Sequence, residues 1–288
     1  MHYEGDIIRP PSEANSILIQ VAVNCSHHKC RFCGFYGKRF KIKPEETVMA
    51  DIAFAAENCQ RQRRVFLCGS DALILPQQRL MKILTEIRRQ LPWVTRVGAY
   101  ANTKSLQLKS LEELRELQEN GLGIAYMGLE SGDDVTLKAI QKGATSEKMI
   151  EMGKKARAAG IKLSITVLLG LAGRDRSQIH ARETGRVLSA IDPEYVGALS
   201  LMLIPGTPLH DDFQAGRFTL IDPDEMLAEL RTMIAETHQT QGLFHANHAS
   251  NYLPIRARMP KDKEKTLALI DEALAGKVAL KPEWMRAL

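Results

Sequence analysis

Apolar residues fall into short, nearly unbroken runs that alternate with stretches where they recur every three to four positions. The two patterns take turns from about residue 17 to about residue 203. Runs predicted as strands are ILIQVAV at 17–23, VFLC at 65–68, TRVGAY at 95–100, GIAYMGLE at 123–130, IKLSITVLLG at 161–170 and YVGALSLML at 195–203. Continuous apolar runs are the signature of parallel strands covered on both faces. Helices fill the gaps. Pro44 marks a first helical position ahead of residues 45–58, where its missing N–H costs nothing. Leu80, Ile83, Leu84 and Ile87 keep one apolar helix face ending before Pro92. Ser110 with Glu113 reads as a capping box for a helix carrying Leu111, Leu114 and Leu117, stopped near Gly121. Further helices are expected at 146–159 and 177–190. About six β-then-α units imply parallel pairing through right-handed crossovers. The predicted fold class is α/β, an open, partial (β/α)6 barrel of the TIM type.

The pattern changes after residue 204. IPGTPL (204–209) is a turn-rich exit, and a helix opening at Asp222 and Pro223 carries Met226, Leu227, Leu230, Met233 and Ile234 on one side. FHANHASNYLP (244–254) follows, polar and rich in His and Asn, and then a last helix near 261–276. The expected organisation is an N-terminal segment (1–14), a barrel core (15–210) and a C-terminal helical extension (211–288) that is a candidate substrate lid.

A 288-residue chain with 44% hydrophobic and 25% charged residues fits a globular enzyme with a sizeable core. The net charge of +5 is mildly basic; it suits an anionic substrate or tRNA, but without a concentrated basic patch it does not argue for nucleic acid. No run of about 18 apolar residues is present, and the N-terminus lacks the basic start and apolar stretch of a secretory signal. A cytoplasmic protein without a membrane anchor is expected. Five cysteines, three of them within nine residues, do not make a disulfide framework; in a reducing compartment clustered thiols are metal ligands or redox groups.

Those three lie in NCSHHKCRFC, spaced C-x-x-x-x-C-x-x-C directly after the first predicted strand. Cys25, Cys30 and Cys33 on one short loop suit three irons of a cubane, leaving the fourth iron without a protein ligand. An open metal position permits chelation of a substrate or cofactor, whereas a structural metal site is closed. A loop at the C-terminal end of a barrel strand is also where active sites of this architecture gather. Two other readings stand beside this one. A zinc half-site would use a Cys-x-x-Cys pair with His27 or His28, but Cys59 and Cys68 do not supply a second pair at comparable spacing. A redox Cys-x-x-Cys would leave Cys25 unexplained.

The loop resembles the cluster motif of radical S-adenosylmethionine (SAM) enzymes, including the aromatic Phe32 between the second and third cysteines; the usual first spacing is three residues and here it is four. The resemblance spans roughly residues 15–210. CGSDAL (68–73) occupies the place of the family's Gly-Gly-Glu motif, which implies SAM amino-group contacts for Gly69, Ser70 and Asp71. GLESGDD (128–134) looks like the ribose-contacting strand end, implying Glu130 and Ser131, with Glu130 as a helix-start acid the plainer reading. LLGLAG (168–173) and IPGTPL are similar to the adenine-contacting segments, implying Leu169 and Gly170, then Ile204 and Pro205. The cofactors implied are a [4Fe-4S] cluster and SAM. One electron from a flavodoxin or ferredoxin would cleave SAM to methionine and a 5′-deoxyadenosyl radical, which takes a hydrogen atom from the substrate.

The substrate is not named by these motifs. Candidates at the barrel mouth are Tyr100 and Asn102 after the third strand, and His245, His248, Asn251 and Tyr252 in the polar C-terminal stretch; as plainer readings, Tyr100 is core and the Asn and His residues cap turns. With only Cys59 and Cys68 left over, auxiliary clusters are not expected. GLESG, GLAG and IPGTPL are similar to the branch holding oxygen-independent coproporphyrinogen oxidases and the Elongator catalytic subunit. The expected function is hydrogen abstraction from a small molecule. A macromolecule-modifying radical enzyme and a haem- or iron-handling chaperone with little turnover are the alternatives. Oligomeric state is not readable.

Overall fold

A computed structural model of the chain describes residues 1–287. Eight strands form a mostly parallel sheet, the α/β architecture of a partial barrel that the alternating pattern predicts. The chain gathers into two compact units.

The first unit comprises Met1–His28, Gly37–Met127 and Met152–Leu163. Its elements are β1 (Ile17–Gln20), β2 (Ala22–Val23), β3 (Lys41–Ile42), α1 (Glu45–Asn58), β4 (Arg64–Cys68), α2 (Gln77–Gln90), β5 (Arg96–Ala101), α3 (Thr103–Gln107), α4 (Leu111–Glu119) and most of β6 (Leu122–Glu130). Strands β1, β4, β5 and β6 pair in parallel in that order, so Ile19, Leu67, Ala99 and Ala125 form one row across the sheet. All four are buried, and so are Val65 and Phe66 beside Leu67; burial on both faces is what the unbroken apolar run requires. The predicted first strand is divided at Val21. Its N–H still bonds the Cys68 carbonyl, but its own carbonyl accepts from Lys43, turning the chain into the short β2–β3 ribbon. Pro44 caps α1 instead of opening it, and the α4 capping box is present as predicted.

The second unit comprises Lys29–Tyr36, Gly128–Glu151 and the chain from Ser164 onward. It holds α5 (Asp134–Ala139), β7 (Lys162–Leu169) from Ser164, α7 (Gly173–Ile191), β8 (Tyr195–Ser200), α8 (Pro208–Gln214), α9 (Pro223–Glu236), β9 (Gly242–Ala246), β10 (Ile255–Met259) and α10 (Lys263–Leu274); α6 (Ser146–Ala158) begins in this unit and ends in the first. β8 is parallel to β7 and β9 to β8, whereas β10 returns antiparallel to β9. The C-terminal extension is therefore not wholly helical. β10 alternates buried Ile255, Ala257 and Met259 with exposed Arg256 and Arg258, the period-2 pattern of a strand with one solvated face. Helices α7 and α9 pack closely because Gly185 presents no side chain: a Cβ there would lie 2.6 Å from Glu236 Cβ and 2.9 Å from the Met233 carbonyl oxygen.

Candidate active site

In the first unit, the ends of β4 and β5 and the start of the cysteine loop meet at one buried carboxylate. β4 ends at Cys68 and is followed by Gly69 with φ +123°, where a Cβ would stand 3.0 Å from both the Ala22 carbonyl oxygen and Ala22 Cβ. Only glycine accepts that backbone and that approach. Two residues on, Asp71 is fully buried. Ser26, the neighbour of Cys25, donates its hydroxyl to Asp71 Oδ2 at 2.6 Å, and Asn102 Nδ2 donates to the same oxygen at 2.7 Å. Asn102 is held by its own capping box on α3. Burial pushes the Asp71 carboxyl above the ordinary carboxylate range, against the pull of Ser26, Ser105, Asn102 and the nearby Lys109 ammonium. Its Oδ1 is buried with no hydrogen-bond partner among the described residues. A buried acceptor left unpaired is costly, and this one can take a cationic donor. Ser70 is half-buried beside it.

Tyr100 is placed otherwise. Its ring packs edge-to-face on Phe66 (5.1 Å between centroids) and against Tyr126 (6.1 Å), in an aromatic cluster of the sheet core. Tyr100 itself is only half-buried.

In the second unit, Cys30 and Cys33 bracket a turn in which the Cys33 N–H donates to the Cys30 carbonyl. Between them Arg31 is gripped on three sides: its N–H bonds the Ile140 carbonyl, its carbonyl accepts from Leu209 N–H, and its guanidinium pairs with Asp212 at 2.6 Å. Phe32 is half-buried on this turn, Ile204 is half-buried and Pro205 is exposed. Cys25, Cys30 and Cys33 are each partly accessible. Among the described residues no three His, Cys, Asp or Glu side chains converge on a point suited to one metal ion. A cubane makes a different demand, since each thiolate binds a separate iron.

The end of β6 carries more internal bonding than its sequence suggests. Glu130 has φ 62° and pairs with Lys142 at 2.9 Å. Its carboxylate folds back over Gly128, where a Cβ would lie 2.1 Å from Glu130 Oε1. Ser131 is buried and its hydroxyl meets His180 Nδ1 at 2.7 Å while accepting from Asp133 N–H. Asp133 is held by Arg176 through two bonds of 2.8 and 2.9 Å. Burial opposes ionisation of Asp133, but Arg176 and Thr136 outweigh it and bring the carboxyl down to about 2. At the end of β7 Leu169 is buried, and the next residue, Gly170 (φ +81°), donates its N–H to Glu229 Oε1 at 2.7 Å.

The polar C-terminal stretch divides into two groups. Asn251 is buried, accepting from Ser200 Oγ and donating to the Ala198 carbonyl, and so splices the loop onto β8. Tyr252 lies under the Arg286 guanidinium (4.2 Å) and donates to Glu283. Both are engaged within the protein. His245 and His248 are half-buried, and burial, helped by Arg256 and Lys281 respectively, lowers the pKa of each imidazole. Neutral imidazoles can accept or donate a proton.

The family model for the radical SAM superfamily matches residues 19–181. The chain belongs to the radical SAM superfamily. Among curated proteins, an uncharacterized protein of Methanocaldococcus jannaschii is 22% identical over 281 residues, covering 93% of this chain and 79% of that one. The heme chaperone HemW of Bacillus subtilis is 23% identical over 234 residues, covering 78% of this chain and 60% of that protein. Among solved structures, coproporphyrinogen III oxidase HemN from Escherichia coli, described as a radical SAM enzyme, aligns with a TM-score of 0.55 at 16% identity, covering 76% of this chain and 51% of its own. That likeness shows the fold, and the chain spans about half of that enzyme. Membership brings a [4Fe-4S] cluster and SAM as the superfamily's cofactors. The donor set fits both: three thiols on one loop for the cluster, and beside Cys25 a buried carboxylate with an unused acceptor for an ammonium group. No helix among the described residues is long and apolar enough to cross a membrane.

The contacts of Ser26 and Lys109 with Asp71, of His180 with Ser131 and of Glu229 with Gly170 were not legible in the sequence. A carboxylate on the apolar face of α9, in step with Met226, Leu230 and Met233, was the one available signal, because a buried charge needs a reason.

Proposed function

We propose that this chain is a radical SAM enzyme in which Cys25, Cys30 and Cys33 each ligate one iron of a [4Fe-4S] cluster, and that it abstracts hydrogen from a small-molecule substrate. The observation that carries the reading is Asp71: a buried carboxylate, bonded to the hydroxyl next to Cys25, with one oxygen unpaired. The α-ammonium of SAM is a cation of the right chemistry for it, with Gly69 and Ser70 supplying backbone beside it. Cys25, Cys30 and Cys33 would hold the cluster and Asp71 the SAM ammonium. With one electron from a flavodoxin or ferredoxin, the chemistry supplied there would be cleavage of SAM to methionine and a 5′-deoxyadenosyl radical able to take a hydrogen atom from a substrate C–H bond. The protein's own groups then have defined tasks. Asp71 and Asn102 orient the methionyl end; the strand ends at Glu130–Ser131 and Leu169–Gly170 receive the nucleoside; Phe32, Ile204 and Pro205 border the adenine; and His245 and His248, both neutral, are candidates to position the substrate or move its proton.

The test is anaerobic reconstitution followed by SAM binding and 5′-deoxyadenosine formation. Replacing a charge-assisted hydrogen bond costs about 1.5–3 kcal/mol, so Asp71→Asn should weaken SAM binding roughly 10- to 100-fold. Cys30→Ala should abolish cleavage. Unchanged SAM affinity in Asp71→Asn would contradict the assigned contact, and absence of 5′-deoxyadenosine from the wild type would contradict the enzyme reading. The likeness to the heme chaperone HemW favours one second reading, a haem-handling protein with little turnover. Stoichiometric haem binding without substrate-dependent 5′-deoxyadenosine would support it.

A further inference from the structure

Two fully buried ionisable groups in the second unit have no part in the assignments above. His180 lies on α7 and Glu229 on α9, and neither side chain is exposed. Glu229 Oε1 accepts the Gly170 N–H at 2.7 Å, its Oε2 accepts the Ser177 hydroxyl, and His180 Nε2 stands 3.4 Å from Oε1. The other imidazole nitrogen, Nδ1, meets the Ser131 hydroxyl at 2.7 Å. The 3.4 Å approach makes no hydrogen bond between Nε2 and the carboxylate, so Glu229 anchors Gly170 and Ser177 while, beside it, a separate chain of bonds runs from His180 Nδ1 to Ser131. It continues to the backbone, because Ser131 Oγ also accepts the Asp133 N–H. Among the described residues no lysine or arginine pairs with Glu229. A glutamate placed in an apolar helix interface and surrounded only by neutral donors is poorly suited to adding stability. It is well suited to fixing the geometry of the groups that donate to it.

We propose that Glu229 and His180 are positioning residues that lock the ends of β6 and β7, at Ser131 and Gly170, in the shape that receives the nucleoside of SAM. The C-terminal extension thereby acts on SAM binding through α9. This rests on the reading that those two strand ends face SAM. Gly170 is the more tightly constrained: its φ is +81°, a Cβ would meet the Met226 methyl at 3.0 Å, its carbonyl accepts the Gly173 N–H, and its own N–H is fixed from outside the turn by Glu229. Burial raises the Glu229 carboxyl to about 7 and lowers the His180 imidazole to about 4, so the imidazole is neutral near pH 7, as the bonding pattern requires.

The experiment measures the dissociation constant of S-adenosylhomocysteine, used as the probe, on the cluster-reconstituted full chain by calorimetry, with folding followed by circular dichroism. Glu229→Ala and Ser131→Ala should each weaken the probe by about tenfold or more, whereas Glu229→Gln, whose amide oxygen still accepts from Gly170, should stay within about threefold of wild type. A general loss of packing would not be rescued by glutamine in this way. If Glu229→Ala does not fold, Ser131→Ala and Glu229→Gln carry the comparison, because the first removes only a hydroxyl. Wild-type affinity in a folded Glu229→Ala or in Ser131→Ala, with Asp71→Asn still impaired, would overturn the positioning role and leave the enzyme reading standing. Failure of the wild type to bind the probe at all would overturn that reading itself.

Discussion

Substituting Gly132 with alanine gives the sharpest test of how the end of β6 is built. A Cβ at position 132 would lie 2.3 Å from the Glu183 carbonyl oxygen, 2.4 Å from its carbon and 2.6 Å from the Thr184 nitrogen. All three are backbone atoms of α7, so no side chain can swing aside. Restoring ordinary contact at 3.4 Å requires a shift of 3.4 − 2.3 = 1.1 Å between the strand end and the helix. Overpacking of this kind costs about 1–3 kcal/mol. The 2.8 Å bond from the Gly132 N–H to Thr184 Oγ1 would stretch as well, adding about 0.5–1.5 kcal/mol. The sum, about 1.5–4.5 kcal/mol, corresponds to a fall in melting temperature of roughly 2–8 °C for a chain of this size. Because α7 also carries Arg176, Ser177 and His180, the same shift would disturb Asp133, Glu229 and Ser131, so SAM affinity should fall with stability. Gly197→Ala is the matched control: its Cβ would meet only Leu199 Cδ1, at 3.9 Å. Thermal unfolding of the two variants side by side is the assay. A Gly132→Ala protein melting within about 1 °C of wild type would refute the close packing of this strand end on α7.

Three further outcomes follow from buried groups. Glu229, raised from 4.5 to about 7, binds a proton more readily folded than unfolded, so its cost grows as pH rises between those values; His180, lowered from 6.5 to about 4, imposes its cost as pH falls across its own range. The two slopes oppose each other between about pH 4.5 and 6.5, and Glu229→Gln removes only the first. The variant should therefore gain about 3 kcal/mol relative to wild type between pH 4.5 and pH 7.5 in urea unfolding; a stability difference independent of pH would count against the burial. Lys43 and Asp51 are both fully buried with 3.8 Å between charges, and Asp51 also accepts the His2 N–H and lies 3.6 Å from the Met1 ammonium, so Lys43→Met removes one of several partners and should cost about 1–3 kcal/mol, read as a lowered urea midpoint. Asn251→Ala should cost about 1–3 kcal/mol by leaving the Ser200 hydroxyl and Ala198 carbonyl short of a partner, and a stability equal to wild type would show that the loop is not spliced to β8.

The parallel strands and long helices were legible because their apolar periodicity is strong: α1 spans Glu45–Asn58 as predicted, and Ser110 caps α4. Strands β9 and β10 were not. Each is five residues long, and exposed Arg256 and Arg258 interrupt the apolar signal of β10. At the site, the cysteine loop was readable from spacing alone, since ligands on one loop stay close whatever the fold. Asp71 was readable only as a position, because its burial and its unpaired oxygen depend on Ser26 and Asn102 from distant segments. Ser131 shows the limit most clearly. Its hydroxyl looked available for ligand, yet it is turned inward to a histidine 49 residues away, a partner that no local pattern announces.

The most direct test of the account is the electron paramagnetic resonance spectrum of the anaerobically reconstituted, dithionite-reduced protein, recorded before and after addition of SAM. The account predicts about four irons per chain, a reduced-cluster signal that SAM perturbs by binding the one iron lacking a protein ligand, and loss of that signal in Cys30→Ala. Zinc in place of iron, or a cluster signal that SAM leaves unchanged, would contradict it.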